Sequence, residues 1–390
     1  MIPALLPTYA RNELAFERGE GAYLFATNGR KYLDFASGIA VTALGHCHPH
    51  LVKALIEQGQ KLWHCSNLFQ IPEQQRLGER LVANTFADTV FFNNSGAEAC
   101  EMSLKVARKY QSETGHPEKY RIIGCNGSFH GRTLATLAAA GNEKYLKGFE
   151  PVVDGFDHVP FENMNELRAK ITGETAAILV EPVQGEGGVR AGSDQYLRAL
   201  REVCDEYGLL LVFDEIQCGL GRTGKLFAYE WPDVKPDIMT VAKALANGVP
   251  IGATLATEDV ARVFTPGTHG STFGGNPFAT AVGLTVFTTL LEERLPERAA
   301  ASGRILLDGL RAVQKKHPAT TGEVRGRGLL VAMDMTVPVG DVVSACRERG
   351  LLVLTAGDNA LRLAPPLVVD RAEIDRGLEI IDRALEACRR

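Results

Sequence analysis

The chain has 390 residues, of which 45% are hydrophobic and 23% charged, a composition typical of a folded protein too long for one hydrophobic core. Its 42 Lys and Arg residues against 47 Asp and Glu residues give a formal charge of −5, so the composition gives no reason to expect nucleic acid or an anionic membrane as a partner. The apolar runs are too short to span a bilayer, and Met1–Ala10 lacks the features of a signal peptide. Eight cysteines without C-x-x-C spacing favour free thiols in a cytoplasmic protein over a disulfide framework.

The N-terminal segment, residues 1–50, is predicted to contain two antiparallel strands. Ala22–Phe25 and Lys31–Asp34 flank the turn signal Asn28-Gly29. The cluster His46–His50 contains three histidines and a cysteine, but their crowded, proline-interrupted spacing does not suit a tetrahedral zinc site. We therefore predict no metal here, and assign this segment to a small domain.

Residues 51–290 alternate between helical periods and short, continuous apolar runs. Such strands, buried on both faces and separated by helices, are typical of a mainly parallel sheet within a large α/β domain. The predicted strands are Val90–Phe92, Arg121–Gly124, Ala177–Val180, Leu209–Phe213 and Ile238–Val241.

Residues 291–390 change to an α+β pattern, which predicts that they complete the small domain begun by the N-terminal segment. A helix over Gly303–Lys316 and a closing helix over Ile374–Cys388 enclose three predicted strands. These strands are Leu329–Met335, Leu351–Leu354 and Leu361–Ala364.

A helix-capping pattern follows the predicted strand Val90–Phe92. Ser95 and Glu98 have the spacing of a capping box, which predicts that a helix begins here and runs to about Tyr110. The first N–H groups of a helix have no partner within it and can bind a phosphate group. Taken alone, the pattern fits an ordinary capped helix better than a phosphate site.

Two further segments place reactive side chains after predicted strands, at the edge where open α/β sheets bind ligands. Phe129 could stack on a flat cofactor ring and Arg132 could hold a carboxylate, although a core Phe and a solvated Arg explain them better in isolation. Asp214, after Leu209–Phe213, could pair with a protonated pyridine nitrogen. A magnesium-binding Walker-B Asp would need an upstream G-x-x-x-x-G-K-[ST] loop, which the sequence lacks.

Three later segments are ambiguous when each is taken alone. Gly219–Gly224 matches the dinucleotide-binding pattern G-x-G-x-x-G, but the residues up to Pro232 have poor helical character, so we reject that interpretation. Lys243 closes the apolar run Ile238–Val241, where burial would make its amine a nucleophile, although a lone lysine there is more often solvated. The loop His269–Pro277 offers hydroxyl groups to a phosphate, or is an ordinary turn.

The order and spacing of these segments decide between the alternatives. They read N-S-G-A-E-A (94–99), S-F-H-G-R-T (128–133), E-P-V-Q-G-E-G-G (181–188), D-E-I-Q (214–217), Lys243 and G-S-T-F-G-G-N-P (270–277). Together they resemble the class III, or ω-amino, aminotransferases across essentially the whole chain. The resemblance implies pyridoxal 5′-phosphate as cofactor and the α/β architecture called fold-type I. It also implies a large domain with a mainly parallel, seven-stranded type of sheet, and a homodimer with active sites at the subunit boundary.

The resemblance also implies roles for individual residues, with Lys243 and Asp214 as the catalytic pair and no metal. The residues implied to bind the cofactor are Ser95, Gly96 and Ala97 at the phosphate, Phe129, Asp214, Glu215, Ile216 and Gln217 around the ring, and Lys243 in covalent linkage. Thr272 is implied to bind the phosphate of the neighbouring subunit's cofactor. The residues implied to bind substrate are Arg132, Ser271, Arg362 and its exchangeable ion-pair partner Glu186.

The implied reaction moves the terminal amino group of N2-acetyl-L-ornithine to 2-oxoglutarate, a step of arginine biosynthesis that gives N-acetylglutamate 5-semialdehyde and glutamate. Succinylornithine, ornithine, 4-aminobutyrate and succinyldiaminopimelate remain alternative donors. Ile39 stands where ornithine aminotransferases have a Tyr hydroxyl, and it suits an acylated nitrogen better than a free ammonium group. A racemase or aminomutase of the same fold would need no 2-oxoglutarate. A non-catalytic interaction protein would not need Asp214 and Lys243.

Overall fold

The structure is a computed structural model that describes residues 4–389. The strands are β1 (Phe16–Glu20), β2 (Tyr23–Ala26), β3 (Lys31–Asp34), β4 (Thr89–Asn93), β5 (Arg121–Cys125), β6 (Phe156–Val159), β7 (Thr175–Val180), β8 (Val183–Gln184), β9 (Arg190–Ala191), β10 (Leu210–Asp214), β11 (Ile238–Val241), β12 (Gly252–Ala256), β13 (Thr321–Arg327), β14 (Leu330–Met335), β15 (Leu351–Leu352), β16 (Leu354–Ala356) and β17 (Ala360–Leu363). The helices are α1 (Ser37–Ala40), α2 (Pro49–Gly59), α3 (Pro72–Val82), α4 (Gly96–Glu113), α5 (Leu134–Ala140), α6 (Glu143–Leu146), α7 (Met164–Lys170), α8 (Asp194–Tyr207), α9 (Glu258–Ala261), α10 (Pro277–Glu292), α11 (Leu295–Lys316), α12 (Val339–Glu348) and α13 (Arg371–Ala387). Within residues 4–389, no helix is long and apolar enough to cross a membrane.

Seven strands form the large sheet, in the order β4-β12-β11-β10-β7-β5-β6. Neighbouring strands from β11 to β6 run parallel, which confirms the predicted mainly parallel sheet. Every residue of β7 and β10 is buried. This burial explains why these strands appear in the sequence as unbroken apolar runs rather than alternating ones.

One strand of this sheet runs against its neighbours. β12 pairs antiparallel with both β11 and β4. Only residues 242–251 connect β11 to β12, and a parallel return needs a crossover of about a dozen residues or more. The short connection therefore dictates an antiparallel return, and it carries Lys243.

The two ends of the described chain meet in a smaller sheet. β15 pairs in parallel with β3, so residues from beyond 350 join the N-terminal strands β1, β2 and β3. The prediction of one strand over Leu351–Leu354 was wrong, because β15 joins this sheet while β16 joins the antiparallel sheet β13-β14-β17-β16. The predicted domain limits at residues 50 and 290 stay a prediction.

The loop Gly219–Gly224 docks the large sheet against the C-terminal part of the chain. No α-helix follows it directly, in line with our rejection of a dinucleotide site; a 3-10 turn over Ala228–Glu230 does. Arg222 is buried, and its guanidinium donates hydrogen bonds to the carbonyls of Leu329 and Pro365. The loop is therefore part of the scaffold.

Candidate active site

A cavity of about 400 Å³ opens at the carboxyl edge of the large sheet. Its walls come from the segments that follow β4, β5, β7, β10 and β11, which is where parallel strands bring their ends together. The sequence-predicted residues that line it are Ser95, Gly96, Ala97, Phe129, Arg132, Glu186, Asp214, Ile216, Gln217 and Lys243. The structure thus gathers into one cavity residues that lie far apart in the sequence.

Asp214 forms the floor of the cavity and is buried, with both carboxylate oxygens engaged. Oδ2 lies 2.7 Å from His130 Nδ1 and accepts a hydrogen bond from the Cys100 thiol at 3.3 Å. Oδ1 accepts from the backbone N–H of Ile216 at 3.0 Å and from the hydroxyl of Thr240 at 3.2 Å. Burial alone would raise the pKa of Asp214, but the hydrogen bond and charge of His130 lower it overall. The carboxylate is therefore held ionised beneath the cavity.

Two residues of this floor were missed by the sequence interpretation. His130 is buried; burial would lower its pKa, but Asp214 raises it overall. Within the described chain, its Nε2 has no hydrogen-bond partner. Glu181 is also buried, which raises its pKa to about 7, and it accepts hydrogen bonds from the N–H groups of Phe129 and Gly185. Both follow predicted strands, and that position was the available signal.

Lys243 reaches the cavity from the turn between β11 and β12. Its backbone has a φ of 41°, an uncommon conformation for any residue other than glycine and one often found at functional sites. The side chain is partly exposed and lines the cavity. Burial lowers the pKa of its amine, although Glu186 and Asp214 oppose the shift. A larger share of the amine is therefore neutral, and neutral amine is the nucleophilic form.

The beginning of α4 forms a cradle at one end of the cavity. Ser95 caps the helix by accepting a hydrogen bond from the N–H of Glu98 at 3.2 Å, as predicted. In a standard capping box the Glu98 carboxylate would accept a hydrogen bond from the backbone N–H of Ser95. Here it accepts from the backbone N–H of Asn94 instead. A Cβ atom at position 96 would lie 3.0 Å from the Ile216 side chain, so this close approach favours glycine. An 18-residue helix whose N-terminus opens into a cavity suits a phosphate.

An ion pair joins the buried Arg362 to Glu186, which is partly exposed and lines the cavity. Arg362 lies on β17, and its guanidinium donates to Glu186 Oε1 at 2.5 Å and to Gln217 Oε1 at 3.1 Å. Gln217 Nε2 in turn donates to the same Glu186 oxygen at 3.1 Å. Burial would raise the pKa of Glu186, but Arg362 lowers it overall. The structure therefore brings together the arginine and carboxylate that the resemblance paired.

Besides Arg362, four predicted residues do not line the cavity in the single chain. Ser271 lies at its edge, where its hydroxyl accepts a hydrogen bond from Asn94 at 3.2 Å, and the neighbouring Thr272 is exposed. Ile39 is 45% exposed, within a short turn of left-handed backbone.

Glu215 is the fourth of these residues, and the structure corrects its predicted place. Its carboxylate faces the fold interior, where it accepts hydrogen bonds from the N–H groups of Ala228 and Tyr229. Side chains alternate between the two faces at a strand end, so Asp214 and Glu215 cannot both face the cavity. Burial raises the pKa of Glu215 to about 8.

Comparison with known proteins identifies the family. The model of the class-III aminotransferase family matches residues 7–385. The chain belongs to the class-III aminotransferases. It is 52% identical over 382 residues to the acetylornithine aminotransferase of Brucella melitensis, which covers 98% of this chain and 95% of that one.

Solved structures of two aminotransferases share this fold. The ornithine aminotransferase of Toxoplasma gondii matches with a TM-score of 0.95 at 35% identity, covering 99% of this chain and 93% of that one. The N-acetylornithine aminotransferase of Stenotrophomonas maltophilia matches with a TM-score of 0.86 at 38% identity, covering 97% of both chains. The predicted fold-type I architecture is therefore confirmed.

As a class-III aminotransferase, the protein is a pyridoxal-phosphate-dependent transaminase, which confirms the predicted cofactor and enzyme class. The cavity fits that cofactor on three independent observations. An ionised carboxylate, Asp214, lies at its floor; the start of α4 lines it through Gly96 and Ala97; and Lys243 lines the same space with a lowered amine pKa. These groups match a pyridine nitrogen, a phosphate and an aldehyde, respectively.

Proposed function

We propose that the protein transfers the terminal amino group of N2-acetyl-L-ornithine to 2-oxoglutarate, yielding N-acetylglutamate 5-semialdehyde and glutamate in arginine biosynthesis. The observation that carries this proposal is the ion pair between Arg362, which is buried, and Glu186, which lines the cavity. A distal amine donor keeps its α-carboxylate far from the reacting carbon, whereas glutamate brings its own close to it. One pocket can serve both substrates only if a cation near the reacting carbon is free to bind the α-carboxylate of glutamate. When the distal amine donor is bound, the same cation must be neutralised by another group, which an exchangeable ion pair allows.

Asp214 and Lys243 are proposed as the catalytic residues. Bound pyridoxal phosphate supplies the electron sink for the electron pair left when the amino carbon loses its proton. Asp214, ionised by its four donors, holds the pyridine nitrogen in its charged form, an interaction of roughly 4 kcal/mol at about 4 Å before desolvation is subtracted. Lys243 would hold the cofactor, and its amine, when free, would accept and return the proton of the amino carbon.

The remaining wall residues are proposed to bind and orient. Phe129 presents its face to the cofactor ring, while Ser95, Gly96 and Ala97 hold the phosphate through the start of α4. Arg132 binds the donor's α-carboxylate and, in the second half-reaction, the side-chain carboxylate of 2-oxoglutarate. Glu186 leaves Arg362 when the α-carboxylate of 2-oxoglutarate arrives. Gln217, which is bonded to both members of that pair, would hold the phenolic side of the cofactor ring.

The N-acetyl donor is favoured by sequence identity and by Ile39. The fold does not discriminate, because the ornithine aminotransferase of Toxoplasma gondii matches it with a TM-score of 0.95. Identity is higher, however, to the acetylornithine aminotransferase of Brucella melitensis. Ile39 does not line the cavity of the single chain, so we propose that a donor meets it only in the dimer. There it would offer no acceptor to a free α-ammonium group, and an unpaired charge costs more to bury than an amide.

The active form is proposed to be a cytoplasmic homodimer in which Thr272 serves the partner's cofactor. An apolar patch surrounds the loop that carries Thr272, with side chains between 47% and 88% exposed. Its members are Ile56, Leu62, Trp63, Leu68, Phe69 and Phe273. Asn67 ties this patch to the loop by donating to the carbonyls of Ser271 and Gly274. A group of exposed, large apolar side chains near one loop is typical of an interface.

A donor panel assayed with and without 2-oxoglutarate tests the proposal. We expect kcat/KM for N-acetylornithine to exceed that for ornithine by at least about tenfold, or roughly 1.4 kcal/mol. Equal values, or a preference for ornithine, would overturn the donor assignment and leave the transaminase unchanged. Turnover without 2-oxoglutarate would instead favour a racemase or aminomutase.

A further inference from the structure

Arg132 has an unusual environment for a surface arginine. Its guanidinium carbon lies 3.9 Å from the centre of the Tyr145 ring and 5.5 Å from that of Phe129. The two rings meet edge to face, with centroids 6.2 Å apart and an interplanar angle of 90°. Among the described residues, no carboxylate forms an ion pair with Arg132. Aromatic rings, rather than an acid, therefore determine where this cation lies.

Tyr145 belongs to the wall that separates two cavities. Arg132 and Phe129 line the active-site cavity, while Phe129 and Tyr145 line a second one of about 660 Å³ beside it. Tyr145 lies in the short helix α6. The side chain of Asn142 caps the start of this helix by accepting a hydrogen bond from the backbone N–H of Lys144. The ring is thus held on its own structural element, independent of the loop that carries Arg132.

A guanidinium stacked on a ring keeps its N–H edge available. The face of the guanidinium contacts the π-system, and its donors lie in the plane, where they can bind a carboxylate with two parallel hydrogen bonds. An unstacked arginine would have to lose about 2 kcal/mol of side-chain freedom when the carboxylate binds. Stacking removes part of that loss in advance.

We infer that Tyr145 is a positioning residue that orients Arg132 and thereby sets the affinity for the substrate carboxylate distal to the reacting carbon. The inference rests on the proposed role of Arg132 as that carboxylate's partner. It requires the aromatic ring of Tyr145 and not its hydroxyl group. Tyr145→Leu removes the ring at similar size, and Tyr145→Phe, which keeps the ring, is the matched control.

The test compares substrates with and without a carboxylate in the holoenzyme. For Tyr145→Leu we expect the KM values of N-acetylornithine and 2-oxoglutarate to rise about fivefold, with kcat within about twofold of the parent. The single-turnover rate with pentylamine, which has no carboxylate, should be unchanged. Tyr145→Phe should behave like the parent, and Tyr145→Leu should have little further effect on KM in an Arg132→Gln background.

The outcomes separate this inference from the proposed function. Unchanged KM values in Arg132→Gln would refute the carboxylate assignment of Arg132 itself. If Arg132→Gln raises KM but Tyr145→Leu does not, Tyr145 alone loses its role. An equal slowing of pentylamine and carboxylate substrates by Tyr145→Leu would indicate a purely structural role, and an effect of Tyr145→Phe as large as that of Tyr145→Leu would exclude the stacking mechanism.

Discussion

The floor and the rim of the active site are built in opposite ways. At the floor, Asp214 is buried with four hydrogen-bond donors within one chain, and His130 is buried beside it. At the rim, Arg132 and Thr272 are exposed, and Thr272 does not line the cavity of its own chain. The floor is therefore organised before any ligand arrives, while the rim is left for substrate and, in our proposal, a second subunit to complete. This division predicts large chemical effects at the floor and smaller binding effects at the rim.

The largest effect is expected for Lys243→Ala. The variant should bind pyridoxal phosphate but lose turnover by at least about 10⁴-fold, because both the covalent attachment and the proton-transferring amine are removed. Absorbance spectra with and without donor, together with steady-state rates, measure both properties. A lysine-bound cofactor spectrum persisting in this variant would mean that another lysine does the work.

Asp214→Ala should rank second. Losing the charge that pairs with the pyridine nitrogen is expected to weaken cofactor binding and to slow single-turnover proton transfer by about 10²- to 10³-fold. Cys100→Ala is a matched control, because it removes one donor to Asp214 and leaves the carboxylate in place. Near-normal single-turnover rates in Asp214→Ala would remove Asp214 from its proposed role.

The rim is tested by subunit mixing. Chains carrying Lys243→Ala are combined with chains carrying Thr272→Asp, which sets a carboxylate against the partner's phosphate. Each mixed dimer then has one doubly damaged site and one intact site. Because random exchange makes about half of the dimers mixed, about a quarter of the parent activity should return. Subunit exchange is verified by mass spectrometry, and no recovery despite exchange would contradict the cross-subunit role of Thr272.

Local signals made much of the fold predictable from the sequence. Continuous apolar runs located β10 and β11, and β11 begins and ends at the predicted residues. The capping pattern at Ser95 correctly placed the beginning of α4. These signals depend only on residues that are close in sequence. Their side chains follow the helical or strand period whatever the tertiary fold is.

Contacts between distant segments account for what was missed. His130 and Asp214 lie 84 residues apart, and nothing local to either reveals that β5 and β10 both flank β7 in the sheet. Tyr145 gives no local sign that Arg132 stacks on it. Glu215 follows Asp214 directly, yet the rest of the fold determines which of the two carboxylates faces the cavity.

The smallest effect is expected for Glu215→Gln. This change should alter the stability of the fold beneath the active site and leave the active site itself unchanged. The buried Glu215 has a pKa of about 8, raised from 4.5 by burial, so the folded protein binds more protons than the unfolded one between these values. The stability that this proton provides is present in acid and is lost as pH rises from about 5 to 8. The amide introduced by the substitution would not titrate, and it would leave one of the two backbone donors unsatisfied, at a cost of about 1–3 kcal/mol.

The Tm of Glu215→Gln should therefore lie below that of the parent at pH 5. At pH 8.5 this difference in Tm should be smaller than at pH 5 by about 2 °C or more. Thermal unfolding with cofactor in excess measures both values. Glu202→Gln, on the exposed side of α8, controls for the loss of one carboxylate from the net charge. Activity at the floor should change little, because the Glu215 carboxylate faces the backbone of Ala228 and Tyr229 rather than the cavity. If the difference in Tm is the same at both pH values, Glu215 is ionised throughout this range. Its two backbone donors would then lower its pKa by more than burial raises it.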